Sequence, residues 1–207
     1  MKKISLILAG ILFSCSLQAV NNESNTGNGV ESDQIQMKKP AKKVIKKSIE
    51  RTEGAILIKE YDQRGNLIKI TDKIINNGNS VEFTLKDGKI LSAKGGNEGY
   101  CEASVNKQKN TATYCLEGGT TEVEFNEFGY KKAVFAYEEG EGTGTYEYNK
   151  DGLLVKVVRI FEDDFEGTSS KTTTTYTYDV MSQDWTKRTG KDNKGYKTVT
   201  TRTVEYW

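Results

Sequence analysis

Most of the chain alternates short extended segments with turn residues, and one unit recurs. The unit is an aromatic residue, Asn or Asp, two spacer residues, Gly and a second extended segment that carries Lys. It occurs at residues 61–65, 125–129 and 148–152, and more loosely at 83–88. An Asn or Asp side chain can accept the hydrogen bonds of a tight turn, and Gly supplies the positive φ that lets the chain re-enter a ladder. We predict that each copy forms a β-hairpin.

Polarity alternates with a period of two inside the extended segments. Val81, Phe83 and Leu85 alternate with Glu82 and Thr84, as in a strand that buries one face. About a dozen short segments of this kind follow one another after residue 54, and no helical period interrupts them. The sequence therefore predicts an all-β fold over residues 54–207, an antiparallel β-meander of repeated hairpins that forms a twisted single sheet or an open barrel.

The first 19 residues are typical of a secretory signal peptide. Two lysines precede an apolar stretch at 4–13, which is too short to span a bilayer and is followed by small and polar residues. Two processing routes stay open. Residues 12–15, LFSC, resemble a bacterial lipobox that would make Cys15 a lipid anchor, whereas residues 17–19, LQA, resemble an ordinary peptidase site. Either route exports the protein to the periplasm or to the outer membrane and cell surface.

Residues 20–53 are predicted to be a disordered basic tether. Their first half is rich in Asn, Ser, Gly and acids and lacks aromatics, so it cannot bury enough apolar surface to become ordered. A cluster of lysines follows, and two interpretations stay open for it: a solvated linker, or contact with an anionic envelope polymer or lipid head group. These lysines are Lys38, Lys39, Lys42, Lys43, Lys46 and Lys47.

Cys101 and Cys115 are predicted to form a disulfide. They flank a segment that is symmetric about Gln108, so a hairpin turning at 106–110 would bring them opposite each other. An exported protein meets an oxidising compartment, and neither a CxxC motif nor additional metal ligands are present. A bridge over this loop would contribute roughly 3 kcal/mol of stability.

The composition excludes several classes of catalytic site. The chain contains no His, which removes Ser-His-Asp and Cys-His catalysis and His-rich zinc sites. No phosphate-binding glycine loop occurs. Lys and Arg number 30 against 29 Asp and Glu, and no aromatic residue separates the clustered lysines, so nucleic acid is not a predicted partner. We predict a protein that is not an enzyme and needs no cofactor.

Two acidic loops, at 138–141 and 162–166, fall at the same end of an up-and-down meander. Calcium is the one metal that such oxygens could hold, although solvated acidic loops are commoner and neither loop has the alternation of a known calcium loop. No metal site is predicted. The weak calcium candidates are Glu162, Asp163, Asp164 and Glu166.

Residues 61–69, YDQRGNLIK, and 148–156, YNKDGLLVK, resemble the YD-type repeats of bacterial surface proteins and the repeats of MORN-type β-proteins. The resemblance implies an exported, non-enzymatic β-repeat protein. We therefore expect a cell-envelope protein with a binding or structural role, whose partner is an envelope protein or a carbohydrate. Three alternatives stay open: a host-facing surface antigen or adhesin, a secreted inhibitor or immunity-type partner, and a small outer-membrane β-barrel ending in the aromatic Trp207.

Overall fold

A computed structural model describes residues 43–97, 101–116 and 119–207, and these residues form 15 β-strands. No helix in this part of the chain is long and apolar enough to cross a membrane. The strands are β1 Ile45–Thr52, β2 Ala55–Tyr61, β3 Leu67–Ile74, β4 Ser80–Lys86, β5 Lys89–Asn97, β6 Cys101–Glu102, β7 Ser104–Asn106, β8 Thr111–Cys115, β9 Thr120–Asn126, β10 Gly129–Tyr137, β11 Gly140–Tyr148, β12 Leu154–Asp163, β13 Thr168–Tyr178, β14 Lys187–Asp192 and β15 Lys197–Tyr206.

All 15 strands belong to one antiparallel sheet that curls into a nearly closed barrel. Nearly every ladder joins strands that follow each other in the chain, and the exception is the pairing of β1 with β15. This pairing brings the two ends of the described chain together. The two edges of the sheet are β6 and β7 in the middle of the chain, and among the described residues no backbone ladder joins them. We call this gap the seam. The predicted all-β antiparallel meander is confirmed.

The turns have the geometry that the repeated unit predicts. Oδ1 of Asp62 accepts hydrogen bonds from the amides of Arg64 and Asn66, both at 2.9 Å. Oδ1 of Asn149 does the same two and four residues later in its own turn, at 3.0 and 2.9 Å. The glycines of these turns, Gly65 and Gly152, have φ of 87° and 75°, which a side chain would strain. These side chains therefore fix where each hairpin reverses.

The hairpins define two ends of the barrel. The turns at 62–66, 127–128 and 149–153 and the loop at 179–186 lie at one end, which we call the closed end. The turns at 53–54, 138–139, 164–167 and 193–196 lie at the opposite, open end. The prediction that the two acidic loops are neighbours is confirmed, because the amide of Asp164 donates to the carbonyl of Glu139 at 3.1 Å.

The predicted boundary at residue 54 is wrong, because β1 occupies part of the predicted tether. Glu50 of β1 pairs with Leu57 of β2 on one side and with Arg202 of β15 on the other. The lysines of this segment conceal a period of two, in which Ser48 and Glu50 are buried inside the barrel. Without this strand β2 and β15 could not be joined, so the barrel needs it. Residues 1–42, which hold the predicted signal peptide and most of the tether, lie outside the described residues.

The two sides of the barrel are filled differently. In β3–β5 and β8–β10, the packed half, the interior is an apolar core around Phe83, which is fully buried. The Phe83 ring lies 5.4 Å from the ring of Tyr114, 5.1 Å from that of Phe125 and 6.2 Å from that of Tyr130. In the cavity half, which comprises β11–β15, β1 and β2, polar side chains and glycines occupy many of the inward positions.

Side chains bridge the seam where the backbone ladder is missing. The predicted disulfide is confirmed, and it joins β6 to β8 with the Cα atoms of Cys101 and Cys115 5.7 Å apart. At the closed end, the side chain of Asn110 accepts a hydrogen bond from the amide of Ile90 at 2.8 Å and donates to the carbonyl of Gly88 at 3.0 Å. At the open end, the Asn79 amide group donates to the carbonyl of Leu116 at 3.0 Å. Covalent and side-chain links thus replace the absent ladder.

The route to this disulfide differs from the expected one. The hairpin with its turn near Gln108 forms, but its strands are β7 and β8, in which Ser104 pairs with Thr113. Cys101 instead lies on β6, which pairs with β5. The chain changes its pairing partner between β6 and β7, at Ala103, whose amide donates to the carbonyl of Gly95 at 3.2 Å. The bridge therefore crosses between sheet edges and does not span a single hairpin.

Candidate functional site

The cavity half encloses a cavity of about 970 Å³. Space exists there because several inward positions carry small residues, among them Gly142, Gly144, Thr172 and Gly190. At Gly190 a Cβ atom would lie 2.8 Å from the Tyr176 ring, so the ring can lie against the wall only because this residue is glycine. Strand register thus turns a run of glycines and threonines into the wall of a cavity.

The cavity opens at the open end and is sealed at the closed end. Lining residues near the open end, such as Arg159 and Tyr196, are exposed, whereas lining residues deeper in the barrel, such as Glu50, are buried. Across the closed end, Leu153 and Trp185 are 2% and 3% exposed. The cavity is therefore a cup with one mouth.

The plug of the cup is the loop at 179–186, which joins β13 to β14. The carboxylate of Asp179 organises the loop by accepting hydrogen bonds from the hydroxyl of Thr186 at 2.6 Å and from the amide of Lys187 at 3.1 Å. The Thr186 hydroxyl, together with the backbone amides of Lys187, Thr186 and Val180, lowers the pKa of Asp179. Trp185 then reaches inward and packs against the ring of Tyr178 at 5.1 Å.

The floor of the cup carries a buried charge cluster of Glu50, Lys59 and Arg188, which we call the floor cluster. The Glu50 carboxylate lies 3.2 Å from Nη2 of Arg188 and 3.9 Å from Nζ of Lys59. The three side chains are 7%, 12% and 12% exposed. Burial lowers the pKa of Lys59, and the guanidinium groups of Arg188 and Arg202 act in the same direction, whereas Glu50 opposes them.

Tyrosines form the side of the cup that faces the packed half. The hydroxyl of Tyr130 donates to Oδ2 of Asp72 at 3.3 Å, and the hydroxyl of Tyr148 donates to the carbonyl of Tyr130 at 3.0 Å. Burial raises the pKa of both phenols, so they remain neutral donors at physiological pH. The rings of Tyr130 and Tyr146 lie 5.9 Å apart and support each other. These contacts hold the wall in one arrangement.

Arg159 is an exposed cation of the wall. It lies on β12 opposite Gly144 of β11 and Thr172 of β13, two small residues that leave its side chain free to project into the cavity. Burial raises the pKa of the Tyr146 phenol, and the positive charge of Arg159 opposes this shift. The cup thus presents cations both at its floor and on its wall.

The lysines predicted to contact anionic surfaces are only partly described. Lys43 and Lys46 lie at the closed end, where their ammonium groups sit 5.4 Å from the Tyr206 ring and 5.0 Å from the Trp207 ring. Lys47 is part of β1. Lys38, Lys39 and Lys42, with Cys15, lie outside the described residues. The described lysines are therefore held against the barrel and do not lie on a free tether.

The four weak calcium candidates lie close together in sequence but do not converge on one point. Oδ1 of Asp163 accepts the amides of Phe165 and Glu166, both at 2.9 Å, and so caps the turn. Glu162 lies one residue earlier in β12, and Asp164 belongs to the turn itself. Within the described residues, no group of three or more acidic or sulfur ligands is arranged to hold a metal ion.

Sequence reasoning missed the floor cluster and the cavity. Glu50 and Lys59 are ordinary charged residues in sequence, and only the pairing of β1 with β2 and β15 turns both inward. One signal was available. In β11, GEGTGTYEY, one face consists of glycines and tyrosines, which is unusual for a strand that packs on an apolar core.

Comparisons with known proteins add little to this geometry. No family model matches the chain, and no curated protein sequence matches it. Among solved structures, the chain is similar to a porin-like protein from Bacteroides vulgatus, with 12% sequence identity and a TM-score of 0.32, over 79% of this chain and 99% of that chain. At that TM-score the similarity transfers neither function nor location. The suggested kinship to YD-type and MORN-type repeats thus rests on the hairpin motif alone.

Proposed function

We propose that the chain is an exported, non-enzymatic binding protein of the cell envelope that holds a small ligand in the cup. The observation that carries this proposal is the cavity of about 970 Å³, enclosed by paired strands. Its volume lies at the upper end of the range of small-molecule sites, about 300–1,000 Å³. A site built on strands is also more precise than one built on loops.

The lining favours a carbohydrate-sized ligand over a protein partner. Tyrosine rings, threonine hydroxyls and charged groups converge on a space that a folded protein cannot enter. Aromatic faces next to polar donors suit a ligand with apolar faces and many hydroxyls. Of the two partner classes expected from sequence, the cavity therefore supports the carbohydrate.

The state of two carboxylates of the lining, those of Glu50 and Asp72, supports a binding role. The two oxygens of Glu50 are each committed to a cation, Oε1 to Lys59 and Oε2 to Arg188. The Asp72 carboxylate accepts the hydroxyl of Tyr130. A general acid or base needs an oxygen that can reach the substrate and exchange a proton. These carboxylates instead act as fixed parts of the wall.

The outer face of the barrel favours water over lipid. Lys69 lies between Glu60 at 3.7 Å and Glu82 at 2.8 Å in an ion-pair ladder across three strands. Lys73 faces outward on the same strand, four residues further on, which is about 13 Å. A membrane barrel needs an apolar band about 25 Å tall, in which a midplane lysine costs about 2–4 kcal/mol. This spacing of charges weighs against the membrane-barrel alternative.

The test is to fill the cup. Thr172 faces the cavity on β13, and its neighbour Thr173 faces outward, so Thr172→Trp and Thr173→Trp add the same bulk on opposite faces. Binding of a panel of mono- and disaccharides and their acids is measured by isothermal titration calorimetry, and folding by circular dichroism. We expect the unmodified protein and Thr173→Trp to bind a member of the panel and Thr172→Trp to lose it. Unchanged binding by folded Thr172→Trp would contradict a site inside the barrel.

A further inference from the structure

The floor of the cup carries more positive than negative charge. Lys59 and Arg188 share the single carboxylate of Glu50. A third cation, Arg202, is 5% exposed, lies opposite Glu50 in the sheet and donates to the carbonyl of Gln183 at 2.5 Å. Within the described part of the chain Arg202 forms no ion pair at 4 Å or less. Three cations therefore surround one anion in a buried place.

The same cations have unused hydrogen-bonding capacity. The Nε atoms of Arg188 and Arg202 are buried, and neither finds an acceptor among the described residues. A buried donor without an acceptor typically costs about 1–3 kcal/mol, and more when it is charged. Both guanidinium groups are also held in place by Trp185, whose ring lies 5.3 Å from the Cζ atom of Arg188 and 4.8 Å from that of Arg202. The floor therefore holds two buried guanidinium donors, the Nε atoms of Arg188 and Arg202, without an acceptor among the described residues.

The wall above the floor is balanced in charge and adds rings. Three cations and three carboxylates line it: Arg159, Lys187, Lys197, Glu53, Asp72 and Asp192. Arg159 projects into the cavity without an ion-pair partner among the described residues, and the Asp72 carboxylate on the far wall is bonded to Tyr130. Tyr176 lies beside the floor, with its ring 4.9 Å from the Cζ atom of Arg188. Planar guanidinium groups pair with carboxylates through two parallel hydrogen bonds. A carboxylate attached to a ring would match both features.

We propose that the cup binds a small ring-bearing carboxylic acid, with the carboxylate at Lys59 and Arg188 and the ring beside Tyr146 and Tyr176. This inference rests on the proposed function and deepens it by naming the ligand class. Two sources share the chemistry, namely a sugar acid and an aromatic acid. The sugar acid agrees better with the many polar groups of the wall.

The test compares three probes on the full chain by isothermal titration calorimetry: D-glucuronate, D-glucose as its neutral counterpart, and phenylacetate as the aromatic acid. We expect an acid to bind and glucose to bind at least about tenfold more weakly, since a charged hydrogen bond is lost. Lys59→Gln should weaken binding of the acid about tenfold, and so should Arg188→Lys, which keeps the charge and loses the two parallel hydrogen bonds. Lys73→Gln, which removes one outward charge, should leave binding unchanged.

The possible results separate this inference from the proposed function. If glucuronate binds and phenylacetate does not, the ligand is a sugar acid. If phenylacetate binds and glucuronate does not, the ligand is an aromatic acid. Either result supports a carboxylate site. If glucose binds as tightly as glucuronate and Thr172→Trp abolishes both, the cup binds a neutral ligand and the carboxylate inference is wrong, while the proposed function stands. If no probe binds, the carboxylate inference is again wrong, and the proposed function is judged separately by the saccharide panel. Arg188→Lys keeps the test decisive if Lys59→Gln does not fold, because it preserves the positive charge beside Glu50.

Discussion

The packed half and the cavity half are built from the same hairpin unit but are filled in opposite ways. In the packed half, Val81, Phe83 and Leu85 of β4 all point inward and are at most 2% exposed. In the cavity half, the inward positions of β11 and β13 carry residues such as Gly144 and Thr174, and a cavity replaces the core. Outward positions in both halves are mainly polar with scattered apolar residues, such as Leu91 on β5 and Ile160 on β12, so the two halves differ chiefly on the inner face.

The seam lies in the packed half, and its position shows how each wall of the barrel is stabilised. From β10 through β15 and β1 to β3, backbone ladders run without a break around the cavity. Where the ladder is interrupted, between β6 and β7, the aromatic core, the disulfide and the asparagine side chains hold the edges together. A wall with continuous ladders can enclose an empty space, whereas a wall with a gap needs a core behind it. Ladder and core are thus alternative means of closing the barrel.

The largest expected effect comes from removing the centre of the core. Phe83→Ala deletes a ring in contact with the rings of three neighbours, and such truncations cost about 3–5 kcal/mol. The matched change in the cavity half, Thr174→Ala, removes a buried side chain that borders existing space, so we expect a loss below about 1 kcal/mol. Urea unfolding measures both. Equal losses would mean that the two halves do not differ in how they are stabilised.

Much of the fold followed from the sequence because its signals are local. The side chains of Asp62 and Asn149 and the glycines that follow them determine each turn within five residues. The alternation in β4 assigns its faces without any partner. β1 was missed because polar residues occupy both of its faces, and Glu50 is stabilised inside the barrel only by residues from other strands. The burial of a charged residue cannot be predicted from the sequence until its partners are known.

The candidate site could not be predicted for the same reason. Glu50, Lys59 and Arg188 come together only through the registers of four adjacent strands, β14, β15, β1 and β2. A one-residue slip in any of them would turn these side chains outward. The pairing of Cys101 with Cys115 was predictable because only these two cysteines follow the predicted signal peptide. Their place on opposite sides of the seam was not, since it depends on the switch of partners after β6.

The second-largest effect tests the seam. Replacing both cysteines in Cys101→Ser/Cys115→Ser should lower the free energy of unfolding by roughly 3 kcal/mol, the contribution expected for a loop of this length. Because the bridge joins β6 to β8, its removal should also make local opening at the seam easier. Hydrogen exchange should accelerate more in residues 101–116 than in β13, which lies in the cavity half and is affected only by the global loss. Uniform acceleration across both halves would contradict a seam held mainly by this bond.

The smallest effect concerns the asparagine at the closed end of the seam. Asn110→Ala removes hydrogen bonds to the amide of Ile90 and to the carbonyls of Gly88 and Phe125, at 2.8, 3.0 and 3.1 Å. It also places alanine at a φ of 57°, which Asn tolerates better. We expect a loss of about 1–2 kcal/mol in urea unfolding.

Asn106→Ala is the control for that change, because Asn106 lies in the same hairpin and caps only its own turn. Its loss should stay below about 1 kcal/mol. Asn110→Gly separates the two causes, since glycine keeps the positive φ and loses the same hydrogen bonds. If Asn110→Gly is as stable as the unmodified protein, backbone conformation explains the residue and the side chain does not seal the seam. If Asn110→Gly loses most of the unfolding free energy that Asn110→Ala loses, the edges of the packed half depend on this side chain, as the strands of the cavity half depend on their ladders.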